Sequence, residues 1–197
     1  MARPRTKPGE FSYRDYLAWP ESERWQLLDG VAYSMAPPSI AHQTVVFELA
    51  RQLGNALQGK PCRAFTGPVG VRLPRTNEAD DVIDTVFEPD LIVVCDPSKL
   101  EPRGIRGAPD LVIEVLSPST SSFDLVDKRQ RYDIAGVREL WLIDPLGGVL
   151  TLYRQDGTRF AAAEIRRAEG DIALTALPDI TLNLDFMSAL REQPESL

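Results

Sequence analysis

Two short apolar runs carry acidic residues where acids are costly, and they define the chemistry open to this chain. Pro89-Asp90-Leu91-Ile92-Val93-Val94 and Pro109-Asp110-Leu111-Val112-Ile113-Glu114-Val115-Leu116 are near repeats of one another. Each has the length of a strand buried on both faces, and each opens with a proline, which a strand accepts at its first residue because no ladder donor is needed there. Glu114 sits inside the second run among apolar neighbours. An ionised carboxylate in such a place is expensive unless a cation or donor meets it. A metal shared with a second acid is one solution, and an internal ion pair is the other. Asp110 cannot share an ion with Glu114, because four residues of strand span roughly 13 Å. Neighbouring strands lie only about 4.8 Å apart, so Asp90 can reach the same ion if the two runs pair in a suitable register. Lys128, one helix later, has a stem long enough to bring its ammonium back to the strand ends, beside the metal and a scissile group.

The elements that must position these groups are legible around them. Ser12-Tyr13-Arg14-Asp15 has capping-box spacing, which predicts a brief helix carrying Tyr16, Leu17 and Trp19 up to Pro20. Asp29-Gly30 between Trp25–Leu28 and Val31–Met35 predicts a hairpin, since both turn residues readily take positive φ. From Ser39 as N-cap, Val45, Val46, Leu49, Leu53 and Leu57 follow helical spacing to Gly59. Strands are expected at Val69 to Leu73, Leu91 to Cys95, Leu111 to Leu116, Leu140 to Ile143, Val149 to Tyr153 and Phe160 to Ile165. A helix from about Phe123 to Ala135, stopped by Gly136, separates the third from the fourth. Asp124 belongs to its expected start, within Ser121-Ser122-Phe123-Asp124. The predicted fold class is α/β, with a mixed central sheet, a core order of helix, three strands, helix, strand, and added N-terminal hairpin and C-terminal strands. Residues 1–11 are expected to form a flexible lead-in and 12–197 a single domain. Asp80-Asp81 and Arg103–Gly107 read as surface loops.

Composition bounds the partners. With 197 residues, 43% hydrophobic and 26% charged, the chain is that of an ordinary globular domain. A net charge of -7 argues against coating nucleic acid through bulk electrostatics, leaving only a local basic patch for that purpose. Cys62 and Cys95 are distant in sequence, with no CxxC spacing and one histidine in the chain, so neither a disulfide framework nor a zinc cluster is expected. With no disulfide framework expected from the cysteines, no membrane-span-length apolar run and no signal-peptide core, the expected location is cytoplasmic, without a membrane partner. Gly54–Lys60 has the spacing of a phosphate-binding P-loop, but Pro61 replaces the metal-binding hydroxyl and the segment ends a helix instead of opening one. It reads as a helix C-terminus.

Together, Leu28-Asp29-Gly30, Pro37, His42, Glu88-Pro89-Asp90-Leu91 and Ala108 through Thr120, with Asp124, Lys128, Tyr132 and Gly136-Val137, resemble the Uma2 family of restriction-endonuclease-like proteins. The resemblance covers about Tyr13 to Asp144, and Glu114-Val115-Leu116-Ser117-Pro118-Ser119-Thr120 is its most specific part. It implies the PD-(D/E)XK nuclease fold, with Asp90 and Glu114 holding a divalent metal while a lysine assists the attacking water. Leu116 occupies the usual lysine position, and Lys128 is the natural replacement. On that reading Mg²⁺ or Mn²⁺ is held by Asp90, Glu114 and the Val115 carbonyl, and DNA is the substrate. Arg103, Arg106, Arg129 or Arg131 would hold its backbone. A homodimer would suit cutting of both strands.

Each residue also has a plainer role open to it. Glu114 can pair internally with Lys128 or an arginine, Asp90 can cap a strand start, and Lys128 can pair with Asp124 one turn back. His42 and Tyr132 are candidates to support the site through hydrogen bonds, against His42 as a capping or surface residue and Tyr132 as packing with a polar tip. Glu48, on the helix of His42, is a supporting acid fixed by no motif. The expected function is a metal-dependent DNA endonuclease, against a non-catalytic binding or regulatory module on the same fold. A glycosidase is disfavoured, because acids on adjacent buried strands are too close for inverting geometry.

Overall fold

The computed structural model describes residues 9–20, 22–117 and 123–192. In chain order the elements are α1 (Tyr13–Tyr16), β1 (Trp25–Leu28), β2 (Val31–Ser34), α2 (Ile40–Ala56), β3 (Arg63–Thr66), β4 (Val71–Arg72), β5 (Val86–Phe87), β6 (Leu91–Val94), β7 (Leu100–Glu101), β8 (Gly104–Arg106), β9 (Leu111–Val115), α3 (Arg129–Ala135), β10 (Glu139–Asp144), β11 (Val149–Asp156), β12 (Arg159–Phe160), β13 (Glu164–Arg167), β14 (Asp171–Ala173), β15 (Thr181–Asn183) and α4 (Met187–Glu192). A π-helical run, Phe123–Lys128, leads into α3. Among the described residues no helix is long and apolar enough to cross a membrane.

The main sheet has the strand order β12-β11-β10-β9-β6-β3, with β13 also on β11. β9 and β10 run parallel while β6 pairs antiparallel with β9, so the sheet is mixed. Both faces of its centre are covered, which is why β6, β9 and β10 read as unbroken apolar runs. Leu91, Val93, Leu111, Ile113, Trp141 and Ile143 point to the face packed by Val45, Leu49 and Leu53 of α2 and by the C-terminal segment. Ile92, Val94, Val112, Leu140 and Leu142 point to the other face, against Tyr132 of α3 and Val71, Phe87 and Ile105 of a second sheet ordered β2-β1-β5-β4-β8-β7.

The expected hairpin forms, with Leu28 opposite Val31 and positive φ at Asp29 and Gly30. A side chain on Gly30 would collide with the Gly9 backbone, which lies across the turn. The amide N–H groups of Glu10 and Phe11 both donate to the Gly30 carbonyl, so Gly9–Phe11 rest on the hairpin, while residues 1–8 lie outside the described part. Ser39 caps α2 as expected, its hydroxyl accepting the His42 N–H at 3.1 Å. Gly136 closes α3 in the left-handed conformation. The proposed start of that helix at Ser121–Asp124 falls on residues whose side chains are outside the description.

Four expectations are corrected. The first strand of the core triplet is β3, which the sequence reading missed; Val69 to Leu73 instead contributes β4 to the second sheet. β3 is partly exposed and carries no apolar run, so it lacks the pattern that marks a buried strand. Phe160 to Ile165 is two short strands, β12 and β13, both on β11. Arg103–Gly107 is no loop, since Gly104–Arg106 is β8. Finally, Cys62 and Cys95 form a disulfide. The register of β3 with β6 sets Arg63 opposite Val94, and one step further puts the two cysteines opposite each other. Missing β3 therefore meant missing the disulfide, and with it goes the cysteine argument for a cytoplasmic location.

Candidate active site

The antiparallel pairing of β6 with β9 sets Leu91 opposite Ile113, Ile92 opposite Val112 and Val93 opposite Leu111. Continued by one pair, this register places Asp90 opposite Glu114 at the end of both strands, which is the condition for the two acids to share one site. Asp90 Oδ2 accepts the Val115 N–H at 2.7 Å and lies 3.1 Å from His42 Nε2 on α2. Glu114 Oε1 accepts from Lys128 Nζ at 3.0 Å and from the Tyr132 hydroxyl at 2.6 Å. Lys128 and Tyr132, four apart, reach the same oxygen from one side of the helix. Glu114 and Lys128 are 2% and 3% exposed, so this ion pair is effectively out of water. The lysine ammonium also lies 5.6 Å from the centre of the Phe87 ring, whose face attracts cations, and Tyr132 meets that ring edge-on. Lys128 ends the π-helical run, a distortion that recurs at functional sites.

Asp90, Glu114, Val115, His42 and Lys128 line one cavity of about 810 Å³, bounded by β6, β9, α2 and the β10–β11 turn. Tyr132 is fully buried behind Glu114. Glu48 is not part of the lining. Its carboxylate is held by Arg51 at 2.8 Å and by Gln52, and the Arg51 hydrogen bond keeps its pKa below the usual carboxylate range. Two of the arginines expected to hold substrate are committed elsewhere. Arg131 is buried, donating to the Leu73 carbonyl and the Thr85 hydroxyl, and burial lowers its pKa. Arg106 bonds Asp80 at 2.7 Å and the Glu78 carbonyl. Arg129 stacks over Tyr153, and Arg103 is exposed at a second, smaller cavity of about 390 Å³.

The structure adds residues that sequence reasoning left without a role. Glu88, on the cavity wall two residues before Asp90, accepts from Tyr16 at 2.9 Å and from Arg24 at 2.7 Å. Burial, then the Glu88 charge, pushes the Tyr16 phenol well above its ordinary pKa. Tyr33, another wall residue, is raised likewise by burial, then by Asp127 and Asp29. Phe87, beneath Lys128, immediately precedes Glu88 and could have been found as the aromatic of a short strand.

Asp110 occupies the mirror position of Asp90. Its Oδ2 accepts the Cys95 N–H at 2.8 Å, as Asp90 accepts the Val115 N–H, and its other oxygen faces Arg138 at 3.2 Å. Tying off the end of the partner strand is thus a structural task common to both Pro-Asp segments.

Two oxygen-rich side chains on facing strands fit a divalent ion that keeps most of its own water. Mg²⁺ and Mn²⁺ accept such a site, whereas a full protein cage would need more ligands. Among the described residues no group of three or more His, Cys, Asp or Glu gathers around one point. On Asp90 both side-chain contacts among the described residues fall on Oδ2, which leaves the lone pairs of Oδ1 for a cation or a hydrogen-bond donor.

A mixed sheet with acids on adjacent strand ends, and a helix returning a lysine to them, is the arrangement that the Uma2 resemblance implies. The Uma2 model, described as "Putative restriction endonuclease", matches residues 13–185, and the chain belongs to that family. It is 30% identical over 125 residues to Uncharacterized protein slr1290 of Synechocystis sp., a match covering 62% of each chain. Its fold is similar to the crystal structure, from Anabaena variabilis, of a "putative nuclease belonging to DUF820", with a TM-score of 0.73 over 91% of this chain and 99% of that one at 20% identity.

Proposed function

We propose that this protein is a metal-dependent endonuclease that hydrolyses phosphodiester bonds in DNA, with Asp90 and Glu114 holding Mg²⁺ or Mn²⁺ and the Val115 carbonyl as a third oxygen. The register that sets Asp90 opposite Glu114 on the floor of a solvent-reached cavity is the observation that carries this reading. When bound, such an ion supplies Lewis acidity and lowers the pKa of a water molecule. The chain's own residues do the rest. The Val115 amide and His42 fix the Asp90 carboxylate, and Tyr132 fixes Glu114 in one rotamer. Lys128, the buried cation of the site, holds positive charge where negative charge develops on the phosphoryl oxygens.

A second reading is favoured by one specific feature: the Glu114–Lys128 pair already satisfies both charges, as an internal structural pair would. In that case the chain is a non-catalytic binding or regulatory module. Calorimetric titration of Mn²⁺ into the wild type and into Asp90→Asn and Glu114→Gln separates the two. Both variants keep the side-chain shape and one acceptor oxygen and lose the charge. The nuclease reading expects saturable binding and metal-dependent DNA cleavage in the wild type, both lost in each variant. Absence of binding in the wild type would leave the structural pair as the better account.

A further inference from the structure

We propose that the cavity mouth carries a stacking platform for an unpaired nucleobase, formed by Phe47 with Gln43 one turn before it on α2, so that the preferred substrate is single-stranded or frayed DNA. This rests on the nuclease reading and specifies its substrate class.

Phe47 is 72% exposed, the most exposed of the large apolar side chains described. Isolated exposed apolar residues are ordinary and need no role. This one lines the same cavity as Asp90 and Glu114, as do Leu146, itself 48% exposed, and Pro145 from the β10–β11 turn. The core-facing side of α2 is already filled by Val45, Val46, Leu49 and Leu53, so Phe47 adds nothing to that packing. Gln43 lies four residues earlier and so shares the Phe47 side of the helix; it too is exposed and lines the cavity. Its amide carries both donors and an acceptor, which suits the edge of a base.

Charge favours an unpaired strand over a duplex. The cavity is lined by four carboxylates, Glu88, Asp90, Glu114 and Asp144, against two permanent cations, Arg24 and Lys128. Arg24 is bound to Glu88 and Lys128 to Glu114. Duplex binding draws its affinity chiefly from several basic contacts to phosphates, and this wall does not supply them. Stacking on an aromatic ring is the other general source of affinity, it tolerates any base, and it requires the base to be out of the helix. The volume of about 810 Å³ lies within the roughly 300–1,000 Å³ of sites that enclose small ligands, and a lining that joins Phe47, Pro145 and Leu146 with Asp90 and Glu114 suits a base followed by its phosphodiester.

Fluorescence anisotropy of a labelled oligothymidylate and of a labelled duplex of equal length, in Ca²⁺ to permit binding without turnover, tests this on the full chain. The wild type is expected to prefer the single strand. Phe47→Ala should weaken single-strand binding about 5- to 150-fold, Phe47→Trp should restore it, and duplex binding and the melting temperature should be unchanged in both. Cleavage in Mn²⁺ is read separately. If DNA is cleaved but the duplex is preferred, or Phe47→Ala binds the single strand like the wild type, the platform is overturned and the nuclease reading stands. If nothing is cleaved but Phe47-dependent binding of the single strand persists, the platform stands and the nuclease reading fails. Absence of oligonucleotide binding, or a loss in Phe47→Ala of self-association in place of oligonucleotide binding, would also overturn it, the latter assigning the ring to a contact between copies.

Discussion

Replacing Lys128 by Met tests at once whether Glu114 is truly sealed from water and whether a metal can stand in for the ammonium. Glu114 is 2% exposed, and its described donors are Lys128 at 3.0 Å and Tyr132 at 2.6 Å. Removing the lysine takes from a buried carboxylate the cation it meets at 3.0 Å, and breaking a buried pair in this way costs about 3–5 kcal/mol. The Tyr132 hydrogen bond survives, so the lower end of that range, about 3 kcal/mol, is expected. For a chain of this size each kcal/mol is worth roughly 2–4 °C, giving a fall in Tm of roughly 6–12 °C. Thermal unfolding by circular dichroism, with and without Mn²⁺, is the assay. A bound cation replaces the missing charge, so Mn²⁺ should raise the Tm of Lys128→Met more than that of the wild type; saturation at a hundred times Kd corresponds to about 2.7 kcal/mol. The double variant Glu114→Leu, Lys128→Met should regain most of the loss, less the hydrogen bond that the Tyr132 hydroxyl donates to Glu114. A loss below about 1 kcal/mol in Lys128→Met is the behaviour of a solvent-screened pair and would refute the sealed site. Equal indifference of both proteins to Mn²⁺ would refute the metal.

Three further outcomes are expected. His42→Ala, which withdraws a contact from Asp90 Oδ2 without emptying the core, should weaken Mn²⁺ binding by about 10- to 100-fold in calorimetry while the protein stays folded. Reducing the Cys62–Cys95 disulfide, which spans 33 residues, should lower unfolding stability by about 3–4 kcal/mol in urea titrations; an unchanged midpoint would show that β3 is held by its ladder alone. The Tyr16 phenol has a folded pKa raised above its ordinary value of 10.0. The folded state therefore keeps a proton that the unfolded chain releases, so its contribution is complete below about pH 10 and declines as pH rises toward the folded value. Tyr16→Phe should show a shallower alkaline loss of stability than the wild type, and parallel curves would count against the Tyr16–Glu88 contact.

How much of this was legible follows from which physical pattern each element presents. β6, β9 and β10 are buried on both faces and announce themselves as apolar runs, and α2 shows its helical spacing and its Ser39 cap. β3 lies at the sheet edge with intermediate and exposed residues, and nothing in Arg63-Ala64-Phe65-Thr66 distinguishes it from a loop. The second sheet is built from strands as short as two residues, held by position rather than by pattern. At the site, Glu114 was legible because a buried charge needs a partner, yet that reasoning alone does not separate catalysis from structure. Glu139 is fully buried too, and it is met by the Trp141 indole, the amides of Thr175 and Ala176 and the Thr175 hydroxyl, away from the candidate cavity. Thr175 and Ala176 lie over thirty residues downstream of it, in a segment with no signal linking it to β10.

The near repeat of the two Pro-Asp segments sharpens the distinction. β6 and β9 pair antiparallel about a local twofold, so each aspartate stands at one end of the pair and accepts the amide just beyond its cross-strand partner. A metal role for Asp90 is therefore not needed to explain why an aspartate is there; Asp110 does the same structural work at the opposite end. What breaks the symmetry is the residue opposite. Asp90 faces Glu114, with His42, Lys128 and Tyr132 gathered around and a cavity in front, while Asp110 stands opposite Val94, with Arg138 as its cation. Placing a second carboxylate opposite the first turns a strand cap into a two-acid site whose mutual repulsion a divalent ion would relieve. At the other end Asp110 meets an apolar neighbour in place of a second carboxylate. On this reasoning Val94→Glu should destabilise the fold, whereas Glu114→Val should take from the buried Lys128 the carboxylate it meets at 3.0 Å and destabilise it for the opposite electrostatic reason.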